Sequence, residues 1–174
     1  MAYPKITVNT GLTESLIASD TILIPAPGIE TITGTTTATT ANKLVDVGAD
    51  FSSVRVNDVV YNTSDNTSAL VTEVETSTIL VLSADIFTSP ENYKIFLNNG
   101  ASLDSSEGCL LYVGSSESTM TVATSFVDVK VKTTAGSIVT FSNFPVGDYL
   151  PVQVLQLYKT GTDAAAQNNC VGIW

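Results

Sequence analysis

Val127-Asp128-Val129-Lys130-Val131-Lys132, then Thr134-Ala135-Gly136-Ser137, then Ile138-Val139-Thr140-Phe141 is the stretch that decides the fold. Three valines alternate with three charged residues, which places the valines on one face of a half-buried strand and the charges on the other. The small residues that follow turn the chain, and the next four apolar or branched residues complete a hairpin. A second turn at Phe144-Pro145-Val146-Gly147-Asp148 leads into Tyr149 to Tyr158, the longest strand candidate. Pro151 has no amide proton for a ladder, so it belongs at a sheet edge, a strand start or a bulge. Thr160-Gly161-Thr162 breaks this strand, Asp163 to Asn169 reads as a loop or one helical turn, and Val171 to Trp174 as a closing strand.

Composition agrees with the pattern. Hydrophobic residues make up 44% of the 174, charged residues only 14%, and Thr and Ser together about a quarter. Branched side chains pack well on a pleated surface and crowd a helix, so this composition favours strands. No amphipathic helix of useful length and no heptad repeat can be drawn. Residues 33–96 read as a separate unit of five short strands: Leu44 to Asp46, Val59 to Tyr61, Ala69 to Val74, Ile79 to Leu82 and Tyr93 to Phe96. The Thr-rich stretch Thr33 to Thr40 leads into it. Within residues 1–32, Ile6 to Val8 and Thr21 to Ile24 look like strands, while Leu12 to Ala18 fits a short helix or an irregular strand equally well. The expected class is therefore all-β. A discontinuous β-sandwich (jelly-roll-like) from residues 1–32 and 97–174 holds an inserted small β-barrel or sandwich at 33–96.

Charge and chemistry narrow the function. Seven Lys and Arg stand against seventeen Asp and Glu, a net charge of −10. Nucleic acid is bound largely through counterion release to basic residues, so a nucleic-acid partner is not expected. There is no histidine, which removes the usual general base, the usual triads and the commonest metal ligand. Asp46 with Asp50, and Glu73 with Glu75, could form carboxylate pairs, but nothing apolar nearby would raise either pKa, so solvated faces are the simpler reading. Asp65-Asn66-Thr67 faintly resembles a cation loop without its spaced acidic ligands, and reads better as a turn. Cys109 and Cys170 show no metal spacing and fit reduced core positions, with a disulfide between them as the alternative. No catalytic, cofactor-binding or metal site is expected, and the chain is expected not to be an enzyme. The N-terminus has no apolar secretory core and no run is long enough for a bilayer, so no membrane association is expected. Tyr3, Pro4, Tyr149 and Trp174 lie near termini or turns, where amphipathic rings serve as protein-interface anchors.

The C-terminal residues resemble a known family. Asp128 to Phe141, Val146-Gly147-Asp148-Tyr149-Leu150-Pro151-Val152-Gln153-Val154, Thr160-Gly161-Thr162 and the final Gly172-Ile173-Trp174 are similar to tailed-bacteriophage virion proteins. That group includes capsid decoration (cement) and spike-base proteins. Leu111-Tyr112-Val113-Gly114 matches a segment that precedes the hairpin in that family, although Ser115 to Ser125 is longer here. Gly48-Ala49-Asp50-Phe51 and Val56 to Asn62 resemble a β module of phage structural proteins. The resemblance implies a virion structural protein made in the host cytoplasm and carried on the outer capsid surface. Its partners would be the major capsid protein or other virion proteins and further copies of itself, as a trimer. A head–tail connector, neck or tail-spike-base component is the alternative within the same class. A host-surface or glycan-binding module is the alternative from another, and a hydrolase working through carboxylates alone is the least favoured.

Overall fold

The computed structural model describes residues 12–25, 31–88, 90–97, 108–117, 121 and 124–174. Among them there is no helix, so none is long and apolar enough to cross a membrane. Thirteen strands follow one another. The first four are β1 (Thr13–Ser15), β2 (Thr31–Thr35), β3 (Ala38–Thr40) and β4 (Lys43–Val45). Next come β5 (Val59–Asn62), β6 (Thr67–Thr76), β7 (Ile79–Leu82) and β8 (Asn92–Phe96). The last five are β9 (Cys109–Tyr112), β10 (Phe126–Thr133), β11 (Ile138–Pro145), β12 (Tyr149–Leu157) and β13 (Val171–Ile173). They form two antiparallel sheets, and the protein is all-β with a β-sandwich-like fold.

The chain divides into two compact units, Met1–Ala26 with Asp104–Trp174, and Pro27–Leu103. The sequence places these limits at 32/33 and 96/97. The second unit is longer at both ends because β2 pairs along its whole length with β8, Thr31 against Phe96 through Thr35 against Asn92.

In the first unit the order is β1-β13-β9-β12-β10-β11. The alternation read from the sequence sets its inner face: Val127, Val129 and Val131 are buried, with Leu111 and Cys109 from β9 and Leu150, Val154 and Leu157 from β12. Residues 16–24 run beside β13 and β12 as an irregular strap, not as the strand expected at Thr21 to Ile24. Its amides bond singly to scattered carbonyls: Leu16 to Cys170 (2.9 Å), Ser19 to Leu157 (2.9 Å) and Ile24 to Leu155 (2.8 Å). No continuous ladder forms, because the strap must also drop Leu16, Ala18 and Ile24 into the core. Asp20 pins it from outside, accepting the Thr160 amide at 2.9 Å and hydroxyl at 2.7 Å. Those two bonds hold its carboxyl below the usual range. Of the undecided stretch Leu12 to Ala18, only Thr13–Ser15 is a strand. Pro151 lies on a strand flanked on both sides, where a bulge between Tyr149 and Gln153 takes up the missing donor.

The second unit has seven strands where five are expected, in the order β2-β8-β5-β6-β7-β4-β3. The two extra strands come from the Thr-rich lead-in, whose polar residues give no apolar alternation to read. Only Thr36 and Thr37 separate β2 at one edge from β3 at the other, so the sheet curls into a half-barrel whose edges meet at this link. Thr36 donates its amide to Glu91 (2.9 Å) and Thr37 to Val45 (2.7 Å), fastening the link on both sides. Inside lie Leu44, Phe51, Val60, Val71, Leu80, Phe87 and Ile95.

One close approach governs this interior. Tyr93 is registered with Gly34 and donates its hydroxyl to Asp46 Oδ2 at 2.8 Å. Burial and this partner raise the phenol's pKa. A Cβ on Gly34 would land on the Tyr93 hydroxyl oxygen and 2.9 Å from Asp46 Oδ2. Gly34→Ala should therefore destabilise the chain by about 1–3 kcal/mol, as overpacked cores do. A urea denaturation midpoint unchanged from the parent would contradict that packing.

Candidate interaction surface

Because one face of the six-stranded sheet is core, the other is defined by register. Leu111 and Leu150 are buried inward, so their neighbours Leu110, Tyr112 and Tyr149 face outward. Tyr112 stands between Val171 on β13 and Tyr149 on β12, and Leu110 between Ile173 and Gln153. Five apolar or aromatic side chains thus form two rows across three strands with no charge among them. Tyr149 is 47% exposed, and the other four are half-buried. The rings of Tyr112 and Tyr149 meet edge to face at 5.3 Å between centroids. Thr13, Ser15, Gln153 and Pro151 border the patch. An uncharged patch rimmed by polar residues is the form of a protein-docking surface.

Of the anchors expected from sequence, Tyr149 lies in this patch. Trp174 does not. Its indole packs on the inner face, where a Cβ at Gly172 would come within 2.7 Å of the ring and 3.2 Å of Cys109 Sγ. Its amide bonds to Leu12 at 3.0 Å, and its partly buried ring packs against the core. Tyr3 and Pro4 lie outside the described residues. Leu110, Val171 and Ile173 were not expected at an interface. The readable signal was the run Leu110-Leu111-Tyr112-Val113, which is apolar on both faces where a solvated sheet would alternate.

The carboxylates singled out from the sequence have separate surroundings. Asp46 is buried and partners Tyr93 and the Gly48 amide. Asp50 is exposed, and the Ser52 amide and hydroxyl hold its carboxyl below the usual range. Glu73 and Glu75 are exposed on β6, Glu75 paired with Lys43. At the turn that resembles a cation loop, the Asn62 side chain is occupied by the chain itself, while the buried Thr67 hydroxyl has no hydrogen-bond partner among the described residues. Asn62 Oδ1 accepts the amides of Ser64 (2.9 Å) and Asp65 (3.1 Å). The Asn62 Nδ2 donates to Ile86 O (2.6 Å) and Glu91 Oε2 (3.0 Å). Glu91 lies beside Asp65 and raises that carboxyl's pKa. Among the described residues no three His, Cys, Asp or Glu side chains gather to hold a metal.

Comparison with known proteins returned no matching family model, no matching curated protein and no matching solved structure.

Both thiols are free and buried. Val171 is registered with Tyr112, three residues along β9 from Cys109. Cys170 lies one residue further off, so its Cα is roughly 10 Å or more from that of Cys109, beyond disulfide reach. Burial pushes the Cys109 thiol up to about 12 and the Cys170 thiol to about 11. A folded pKa above the unfolded one means stability that is present below the unfolded pKa and lost as pH rises through the folded one. Stability should therefore fall between about pH 8.5 and pH 12, and Cys109→Ala should flatten that slope. Urea midpoints at pH 7 and pH 10 measure it. A thiol-reactive dye should label neither cysteine in the native protein and both after denaturation; rapid native labelling would disprove their burial.

Proposed function

We propose that this chain is a structural subunit of a virus particle, most simply a capsid decoration protein of a tailed bacteriophage, and that it acts by surface contact instead of chemistry. The observation that carries the reading is the uncharged outer patch of Leu110, Tyr112, Tyr149, Val171 and Ile173, in a chain without histidine. The residues of the family resemblance support it, since β9, β10, β11 and β12 hold most of them. The partner is the major capsid protein or a neighbouring virion protein, and the chain sits on the outer capsid surface, where a net charge of −10 faces solvent and not the packaged genome.

Affinity in this reading comes from apolar burial at about 25 cal/mol per Å². A patch of this size falls short of the ~800 Å² per partner of a standard interface. Repetition over many copies, together with self-association, makes up the difference through effective concentration. A connector, neck or tail-spike-base subunit would use the same patch at low copy number, so quantitative mass spectrometry of purified particles separates the two. The exposed ring of Tyr149 supports a second reading, a host-surface or glycan-binding module, because one aromatic face is open to a sugar. A glycan array without hits removes it.

Tyr149→Ser should leave the folded spectrum unchanged and weaken retention on particles by about thirtyfold, the effect of losing one exposed aromatic anchor worth ~2 kcal/mol. Cosedimentation of the variant with particles at parental affinity would refute the patch as the docking surface.

A further inference from the structure

β11 is the long free edge of the six-stranded sheet. Among the described residues no strand pairs its outer side, and the opposite edge, β1, has only three residues. The direction of its backbone groups follows from β10. Lys130 spends its carbonyl on the Tyr158 amide (2.9 Å) and its own amide on Thr162 Oγ1 (2.9 Å), both on the side away from β11. Asp128 likewise gives its amide to Asp163 Oδ2 (2.8 Å) and its carbonyl to the Asp163 amide (2.9 Å). Thr140 is registered opposite Lys130 in an antiparallel pair. Its amide and carbonyl must therefore also face away from β10, out of the edge, as must those of Ile138 two residues earlier.

Edge strands are ordinarily guarded by charge, proline or a bulge. From Ile138 to Ser142 there is neither charge nor proline, and Ile138 and Val139 are 56% and 38% exposed. The guard begins only at Asn143, which has a φ of 52° and donates its amide to Asp128 Oδ1 at 2.8 Å. This bulge shifts the register between Val127 and Val129 and closes the edge beyond Ser142. Five residues remain open, and Thr140 is their centre.

We infer that β11 is a homodimer interface, in which Ile138 to Ser142 pairs antiparallel with the same segment of a second copy about a twofold axis at Thr140. That register sets Ile138 against Ser142, Val139 against Phe141 and Thr140 against itself. Outward residues meet outward ones and inward ones meet inward ones, whereas a one-residue slip would reverse every face. Thr140 and its counterpart exchange both backbone bonds, and with the Ile138–Ser142 pairs about six bonds form. Val139 covers the partly exposed edge of the core at Phe141, which packs there against Phe144. Charge permits the approach. The whole chain is at −10, but the hairpin carries Asp128 against Lys130 and Lys132, so the strands that meet do not share the general repulsion. The inference rests on reading the chain as a self-associating structural subunit, and it puts a twofold pair in place of the trimer that the resemblance implies.

The test is sedimentation velocity of the full chain with two variants. The parent should sediment at twice its 18.3 kDa chain mass, and Thr140→Lys, which sets two like charges across the axis, at the monomer mass. Because the native thiols are buried, Thr140→Cys should form a single interchain disulfide under oxidised glutathione. A hydrogen-bonded antiparallel pair places its Cα atoms about 5.5 Å apart, inside disulfide range. Tyr149→Ser should remain dimeric. A parent that is monomeric at its highest soluble concentration, or an oligomer of any order that Thr140→Lys leaves intact, would overturn the inference. Particle binding by a strictly monomeric chain would remove it and spare the proposed function. A dimer that ignores particles would do the reverse.

Discussion

Val127, Val129 and Val131 surrender nearly all contact with water, while Asp128, Lys130 and Lys132 between them stay at least partly solvated. That alternation fixes which face of the six-stranded sheet is core, and a strand cannot slide by one residue without exchanging the two sets. The neighbours inherit the constraint. Leu111 on β9 and Leu150 on β12 must turn inward to meet the valines, so Tyr112 and Tyr149 must turn outward. The patch on the outer face is thus a consequence of how the inner face was chosen.

The strap adds apolar side chains to the core that the six-stranded sheet lines. These are Leu16, Ala18 and Ile24, and the chain between them is held by isolated bonds and by Asp20 at Thr160. Trp174 does the same work at the other end, filling the space that glycine leaves at Gly172. In the curled sheet the fastening is polar. Asn62 is fully buried, and a buried amide left without partners would be costly, yet both of its ends are satisfied. Asn62, Glu91, Thr36 and Asp46 therefore act as fasteners at the sites where the half-barrel turns or its edges meet.

How legible this was depended on whether burial left a periodic trace. β10 could be read directly, since one apolar face against one polar face writes a period of two into the residues, and the turns that bound β11, β12 and β13 marked those strands. The Thr-rich stretch could not, because β2 and β3 expose most of their side chains and their order comes from backbone pairing. The strap was misread for the opposite reason: Thr21 to Ile24 has strand-forming residues, but its amides bond singly and form no ladder. Of the residues singled out from the sequence as anchors, Tyr149 lies in the outer patch. Trp174 looked like an interface ring by position alone, and position cannot tell an inward from an outward side chain when the register of the last strand is unknown.

The outer patch lies on β13, β9 and β12, while the open edge is at β11, two strands beyond β12 in the same sheet. The two surfaces also bind by different physics. The patch offers side-chain area whose worth scales with apolar burial, whereas the edge offers directional backbone bonds that demand one register. A subunit with only the patch could dock in many orientations, and one with only the edge would stop at a pair. The bulge at Asn143 ends the open edge after Ser142, and a twofold pairing leaves no second free copy of β11 to extend. If the proposed pairing forms at one side of the sheet, it would present two outer patches together, and a partner lattice with matching spacing would hold both more tightly than either alone.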